Sequence, residues 1–537
     1  MKKLIFACFF LLLALSVEAQ SLPQEAVYAH LSKDIAATGE SIHFKVFIRA
    51  NSQYSDSKIA YVELIDRTYQ PVLQVIFPLE DGQSENYLDI PTNLQSDHYL
   101  FRVYTRISPY LGDLGVYNQF ITIINPEAPP SVESASAKPF SFPSSSSKTP
   151  QFNLQPIGTN SSFEIQQNLL PQAPKTTLSI SLKNPYLTET SRGYFHSEIY
   201  QNTNAPKRLI PEPFGHIVYA RTMDTDIDTT ETYFLSSHGK QSVLNSSKPS
   251  LGGDLFFELG ALKEYDFLIA QSSNQDKQLD FSPQSPFANL SFKNEFNFPP
   301  LVLEEKDKAF LQQVILAGRT GSYFFEEEKN EFMPIATGFV ADKIYKLDDY
   351  TRFENIEVTL KEYVPEVLVR RQQRKMILKV QDKPLAAVFE ENPLVLIDAM
   401  PVFDVDRLGK FDPQKIEKLE VLSREFFLNK DRFAGVVSFI SFENDFGGFD
   451  LPENSLYLNY WTIQAGKKYM SPHLVQQPVS PNIPDFRTTL YWDTDFHKAA
   501  ESLFYTSHTS GKYEMKQSFI NEKGDWQLQI GEFSVGD

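Results

Sequence analysis

Asp224-Thr225-Asp226-Ile227-Asp228 places carboxylates at alternate positions, like the opening of a calcium-binding loop. In such a loop the sixth residue is a sharply turning glycine and the twelfth a bidentate Glu. Here they are Thr229 and Leu235, so a solvated acidic turn is expected. The run Glu326-Glu327-Glu328 reads as a hydrated face for the same reason of charge without partners. Nine histidines are scattered, and no two stand at the spacing of a local zinc pair. No Gly-x-Ser-x-Gly elbow, phosphate loop or dinucleotide fingerprint occurs. Asp398 ends the apolar run Leu394-Val395-Leu396-Ile397, where a carboxylate could act as an acid or hold a turn; the turn is the expectation. The sequence thus assigns no catalytic residue, no metal ligand and no cofactor.

What must position these groups is a long, aromatic-rich chain. Its 537 residues, with 44 Phe and 25 Tyr, correspond to about three to five domains and exclude a largely disordered protein. A formal charge of −18 argues against nucleic-acid partners. Lys2 and Lys3, the apolar run Leu4 to Leu15 and Val17-Glu18-Ala19 have the parts of a secretory signal, expected at 1–19 with cleavage after Ala19. The run is shorter than the roughly 20 residues that span a bilayer, and no later run is long enough. The signal takes with it two cations, one anion and Cys8, so −18 becomes −19 and no cysteine remains. An exported chain without disulfides must rely on its cores.

The remainder reads as mainly β: a string of β-sandwiches with one small α/β module. Ile42 to Ile48 and Tyr61 to Ile65 alternate with period two in a sandwich expected at 22–127. A Ser/Pro linker is expected at 128–151, a β unit at 152–207 and a second sandwich at 208–298. A helical or mixed connector at 299–375 holds an amphipathic helix through Phe310, Leu311, Val314 and Ile315. An α/β module follows at 376–447, with a helix led by Asp412-Pro413 and carrying Ile416, Leu419 and Val421. A C-terminal sandwich at 448–537 completes the chain. Its Trp492 and Trp526, with Trp461 and Tyr491, are expected to cover the α/β module.

Two stretches resemble known families. Val27 to Asp34 followed by Thr38-Gly39-Glu40-Ser41-Ile42-His43-Phe44-Lys45 resembles the second macroglobulin-type domain, with Gly39, Glu40 and Phe44 as motif residues. The covalent protease trap of macroglobulins uses a Cys–Gln thioester, which a mature chain without cysteine excludes. The unit at 208–298 looks like a carboxypeptidase-regulatory-like sandwich. Pro393 to Val402, Asp412 to Leu422 and Phe433 to Ile440 resemble, in order and spacing, the plug domain of TonB-dependent outer-membrane receptors. The residues carrying this likeness are Asp398, Pro401, Asp412, Pro413, Glu420 and Gly435, with structural roles implied. Ala399 replaces the usual Gly, and Ser423-Arg424-Glu425 stands where Gly-Pro is usual. After Phe442, 95 residues follow (537 − 442), room for about six to eight strands and one sandwich rather than a membrane barrel. The resemblances imply a non-enzymatic, modular envelope protein, periplasmic or outer-membrane-associated, that binds another envelope protein. A polysaccharide- or ligand-handling accessory of an uptake or secretion system is the alternative, and a hydrolase the third reading.

Overall fold

The computed structural model describes residues 22–51, 53–136, 151–153, 155–165, 176–187, 196–201, 209–223, 226–260, 264–324, 326–329, 338–470, 484–496, 503–521 and 525–536. The expected signal at 1–19 and most of the Ser/Pro stretch lie outside these residues. Among the described residues, no helix is long and apolar enough to cross a membrane.

The N-terminal sandwich closes two sheets over one core. In the first, Ser41–Ala50 pairs on one side with Glu25–Leu31 and on the other with Gln83–Asp89. The second runs Ile35–Ala37, Tyr117–Ile124, Asp97–Tyr104, Ile59–Ile65, Pro71–Pro78. Alternation sends Ile42, Phe44, Val46 and Ile48 inward against Val62, Leu64, Phe101 and Val103. Phe44 meets Phe77 and Phe101 edge to face at 5.5 and 5.4 Å between centroids. Ile59–Ile65 and Tyr117–Ile124 are buried along their whole length because the second sheet is covered on both faces. Its outer side chains, Tyr61, Tyr104 and Phe120 among them, enter a second core shared with the middle sandwich.

That middle sandwich sets Asp254–Gly260, His216–Arg221 and Ser282–Pro283 against Val243–Ser247, Tyr233–His238, Phe267–Ser272 and Ser455–Leu458. Its last strand comes from beyond the α/β module, so residues 448–537 do not form a unit by themselves. Of the other described strands of that stretch, Lys467–Met470 pairs with Glu326–Lys329, and the rest join the earlier β unit. The sheet order is Gln151–Asn153, Trp526–Val535, Gly511–Ile520, Thr176–Leu182, Thr489–Phe496. Residues 152–207 and 448–537, expected as separate units, thus share one sheet. Each has too few strands to cover its own apolar face, and pairing solves both deficits. The near end of the expected linker is also structured: Val132–Ser136 is a short helix, and Ser134 Oγ donates to Asp97 at 2.6 Å.

The helix Lys308–Thr320 packs Val314 with Ile35, Ala37 and Ile124 of the first sandwich. The α/β module begins before 376. Its sheet runs Lys343–Lys346, Ile416–Leu422, Val436–Ser441, Leu394–Ile397, Met400–Pro401, so part of the expected connector belongs to it. Two helices cover one face: Ile356–Tyr363, capped by Asn355 on Val358 N–H (3.0 Å), and Val405–Gly409, capped by Asp404 on Arg407 N–H (3.1 Å). The helix expected from Asp412 is a strand. Asp412 accepts from Gln414 N–H at 2.9 Å across one 3-10 turn, Pro413–Lys415, and the chain then extends as Ile416–Leu422. A register shift between Ile416 and Lys418 brings Ile416 to the same buried face as Leu419 and Val421. That bulge produced the three-residue spacing that reads as helical. Trp492 packs on His30 and Trp526 stacks on Tyr28, so these two cover the N-terminal sandwich; the middle sandwich covers the α/β module.

Candidate functional site

The module's sheet has one face on its own core and a second that packs beneath the middle sandwich at Leu394, Leu396 and Val436 and opens toward Ile344. Leu419, Val421, Val437 and Phe439 point to the core. Cross-strand partners on the other side are Ile344 with Glu420, Glu420 with Ser438, and Ser438 with Leu396. This face floors a cleft of about 370 Å³ whose far wall is the 240–244 turn of the middle sandwich. Phe339, Phe426 and Leu428 give it an apolar side, and Lys240, Lys418, Glu417 and Glu420 a charged one. Polar bonds flank it and hold the walls apart at a fixed distance. Gln271 Nε2 donates to Pro401 O at 3.1 Å, Asn429 Nδ2 to Ser246 O at 2.6 Å, and Asn444 Nδ2 to Lys240 O at 3.3 Å.

Asp398 lies at the inner end of the cleft and is only 2% exposed. It accepts from Ser441 N–H (2.8 Å), Ser441 Oγ (2.6 Å) and Phe446 N–H (2.8 Å), tying its own turn to the start of the next. Burial pushes its carboxyl above the usual range, and these three donors work against that shift. The carboxylate holds two backbone N–H groups and one hydroxyl. Lys418 Nζ and Glu420 Oε1 pair at 2.7 Å, so two of the charges on the floor are spent on each other.

Of the residues singled out in the sequence, the cleft brings together Asp398 and Glu420. Pro401 and Pro413 are buried but do not line the cleft, and Pro413 O accepts from Arg352. Gly435 opens the strand Val436–Ser441 at φ +83°; a Cβ there would lie 2.7 Å from Leu422 O. Gly39 and Glu40 lie elsewhere, in the turn before Ser41–Ala50. Gly39 has φ +85°, and Glu40 accepts from Ala37 N–H at 2.6 Å while pairing with Lys33. Phe44 is in the first core. Sequence reasoning missed the 240–244 wall and Phe339, because the cleft forms only when the middle sandwich docks. The acidic turn near 224–228 is described from Asp226 onward. There Asp228 accepts from Thr230 N–H at 2.8 Å, an Asx turn. Among the described residues, no cluster of three or more His, Cys, Asp or Glu could hold a metal ion.

A second titratable cluster joins the first two sandwiches. Tyr61 OH donates to Glu212 Oε2 at 2.6 Å, Arg106 reaches Glu212 at 3.0 Å, and His216 Nδ1 is 3.1 Å from it. Burial would raise the Glu212 carboxyl, but Arg106 and the hydrogen bonds from His216 and Tyr61 hold it below its ordinary value. Burial pushes His216 down. Glu212 and His216 side chains are at most 1% exposed, so this cluster is an internal fastener with no room for a substrate.

No family model matches the chain, and no curated protein matches it. Among solved structures, Salmonella alpha-2-macroglobulin reacted with methylamine aligns at 9% identity over 97% of this chain and 24% of that one, with a TM-score of 0.16. Native Escherichia coli alpha-2-macroglobulin aligns at 8% identity over 96% and 40%, TM-score 0.23. Listeria innocua beta-glucosidase in complex with isofagomine aligns at 16% identity over 19% and 16%, TM-score 0.14. The chain spans well under half the length of each.

Proposed function

We propose that this is a non-catalytic, modular envelope protein that binds another envelope protein, with the plug-like α/β module as its docking unit. The observation that carries the reading is the open face at the cleft. Ile344 is 56% exposed on the terminal strand Lys343–Lys346 and shares its face with Glu420, while Val340, 72% exposed, follows the cleft residue Phe339. A partner strand added beside Lys343–Lys346 would gain main-chain hydrogen bonds and cover both side chains. The flanking Lys343 and Lys346 would keep that edge from pairing indiscriminately.

Affinity capture from detergent-solubilised envelope tests the reading. Wild type should retain one dominant envelope protein, and Ile344→Asp with Val340→Asp should lose it while keeping the wild-type melting temperature. Unchanged capture by the double variant would refute the docking site. Saturable binding of a siderophore or vitamin would overturn the non-transport reading.

A further inference from the structure

Where the N-terminal sandwich meets the C-terminal sheet, Lys516 Nζ lies 3.0 Å from Asp34 Oδ2 and 3.2 Å from Glu514 Oε2. Their side chains are 6%, 3% and 3% exposed. Glu514 and Lys516 are two apart on Gly511–Ile520 and so share a face, which is turned to the bend that carries Asp34. Both sides of this contact are rigid. Lys516 is laddered to Ser179 and Ile530, and Asp34 O accepts from Thr122 N–H at 2.9 Å and Asn184 Nδ2 at 2.8 Å. Among the described residues, Lys183 also reaches two carboxylates, Glu514 and Glu532, but it is 27% exposed.

We propose that Lys516 and Asp34 condense to an intramolecular amide, with Glu514 as the proton carrier. A lysine, an Asp carboxyl and a second carboxyl held together away from water make up the set that this condensation needs. Fixed geometry converts an unfavourable bimolecular encounter into a unimolecular step, and exclusion of bulk water disfavours the reverse hydrolysis. The ammonium gives one proton to Glu514, leaving a neutral amine, and Glu514 passes that proton to the Asp34 carboxylate, which becomes a neutral acid. The amine lone pair attacks Asp34 Cγ, forming the N–C bond of a tetrahedral intermediate. Glu514 then takes a second proton from nitrogen and gives it to the departing hydroxyl; the C–O bond breaks and one water leaves. Ammonium plus carboxylate thus become amide plus one water, and Glu514 ends as it began. No oxidant or cofactor is consumed. The bond would tie the first sandwich to the last sheet in a chain whose single cysteine, Cys8, lies in the signal-like segment.

Mass spectrometry of the full-length purified protein tests this. The intact wild-type chain should be lighter than its sequence mass, counted from its sequenced N-terminus, by one water. Protease digestion should give a branched peptide joining the segments of Asp34 and Lys516. Lys516→Arg, which keeps the ion pair and cannot form the amide, and Glu514→Gln should both return to their sequence masses with the fold intact by circular dichroism. A wild-type chain at full sequence mass with Asp34 and Lys516 in separate peptides overturns the proposal. So does a one-water loss confined to the Asp34 peptide, which is a local succinimide.

Discussion

Replacing Gly435 by Ala separates two costs that usually come together. The backbone at Gly435 has φ +83°, a region costing an L-residue about 1–2 kcal/mol. The added Cβ would also lie 2.7 Å from Leu422 O and 2.9 Å from Val380 Cγ1. Neither neighbour yields easily. Leu422 is paired with Val436 in the ladder, and Val380 is a buried β-branched side chain in the module's core. Overpacking of this kind costs roughly 1–3 kcal/mol. Alanine's smaller unfolded-state entropy returns about 0.4–1 kcal/mol, leaving a net loss of about 2–4 kcal/mol. Gly448 is the internal control: φ is +81°, but nothing lies within 4 Å of a built Cβ. Gly448→Ala should therefore cost only the backbone term, about 1 kcal/mol or less after the entropy offset. Urea unfolding followed by amide exchange in Val436–Ser441 reads both variants. Equal losses for the two would refute the claim that contact with Leu422 and Val380, rather than backbone conformation alone, makes Gly435 necessary.

Ala399→Gly should act in the opposite direction. Asp398 and Ala399 have φ +45° and +66° in a two-residue hairpin turn, so relief of the alanine's strain, offset by Gly entropy, leaves a gain of about 0.5 kcal/mol in urea midpoint measurements. Acid should weaken the fold through three histidines. Burial lowers His43 and His238 from 6.5 to about 3, with Lys33 and Lys467 adding to the effect at His43, and lowers His98 to about 4. The unfolded chain takes up these protons as pH falls below 6.5 and the folded chain does not. Stability is thus full above pH 6.5 and is lost as pH falls toward about 4 for His98 and about 3 for His43 and His238, by up to about 2 kcal/mol per histidine at pH 5. Melting temperatures from pH 7.5 to 5 check the slope, and His238→Gln should flatten it; an unchanged slope would refute the assignment.

Much of the β architecture was legible because it rests on local rules. Ile42, Phe44, Val46 and Ile48 alternate with polar residues since only one face of their strand enters the first core, and Gly39 marks a turn that needs positive φ. The amphipathic stripe of Lys308–Thr320 is read in the same way. Asp398 is expected to hold the turn before Pro401; its carboxylate instead bonds Ser441, at the end of Val436–Ser441, and Phe446 N–H in the turn that follows. Tertiary structure decided what no local pattern encodes. Ile416–Leu422 carries a helical spacing because a bulge shifts Ile416 by one position, and only pairing with Val436–Ser441 selects the extended form. Thr176–Leu182 lies between Gly511–Ile520 and Thr489–Phe496, more than three hundred residues away, because strand pairing depends on complementary edges and faces rather than on distance along the chain. The cleft follows from the same cause. Its floor and far wall belong to different units, so its shape exists only once Phe234 and Leu244 have packed with Leu394, Leu396 and Val436, and Gln271, Asn429 and Asn444 have fixed one unit against the other.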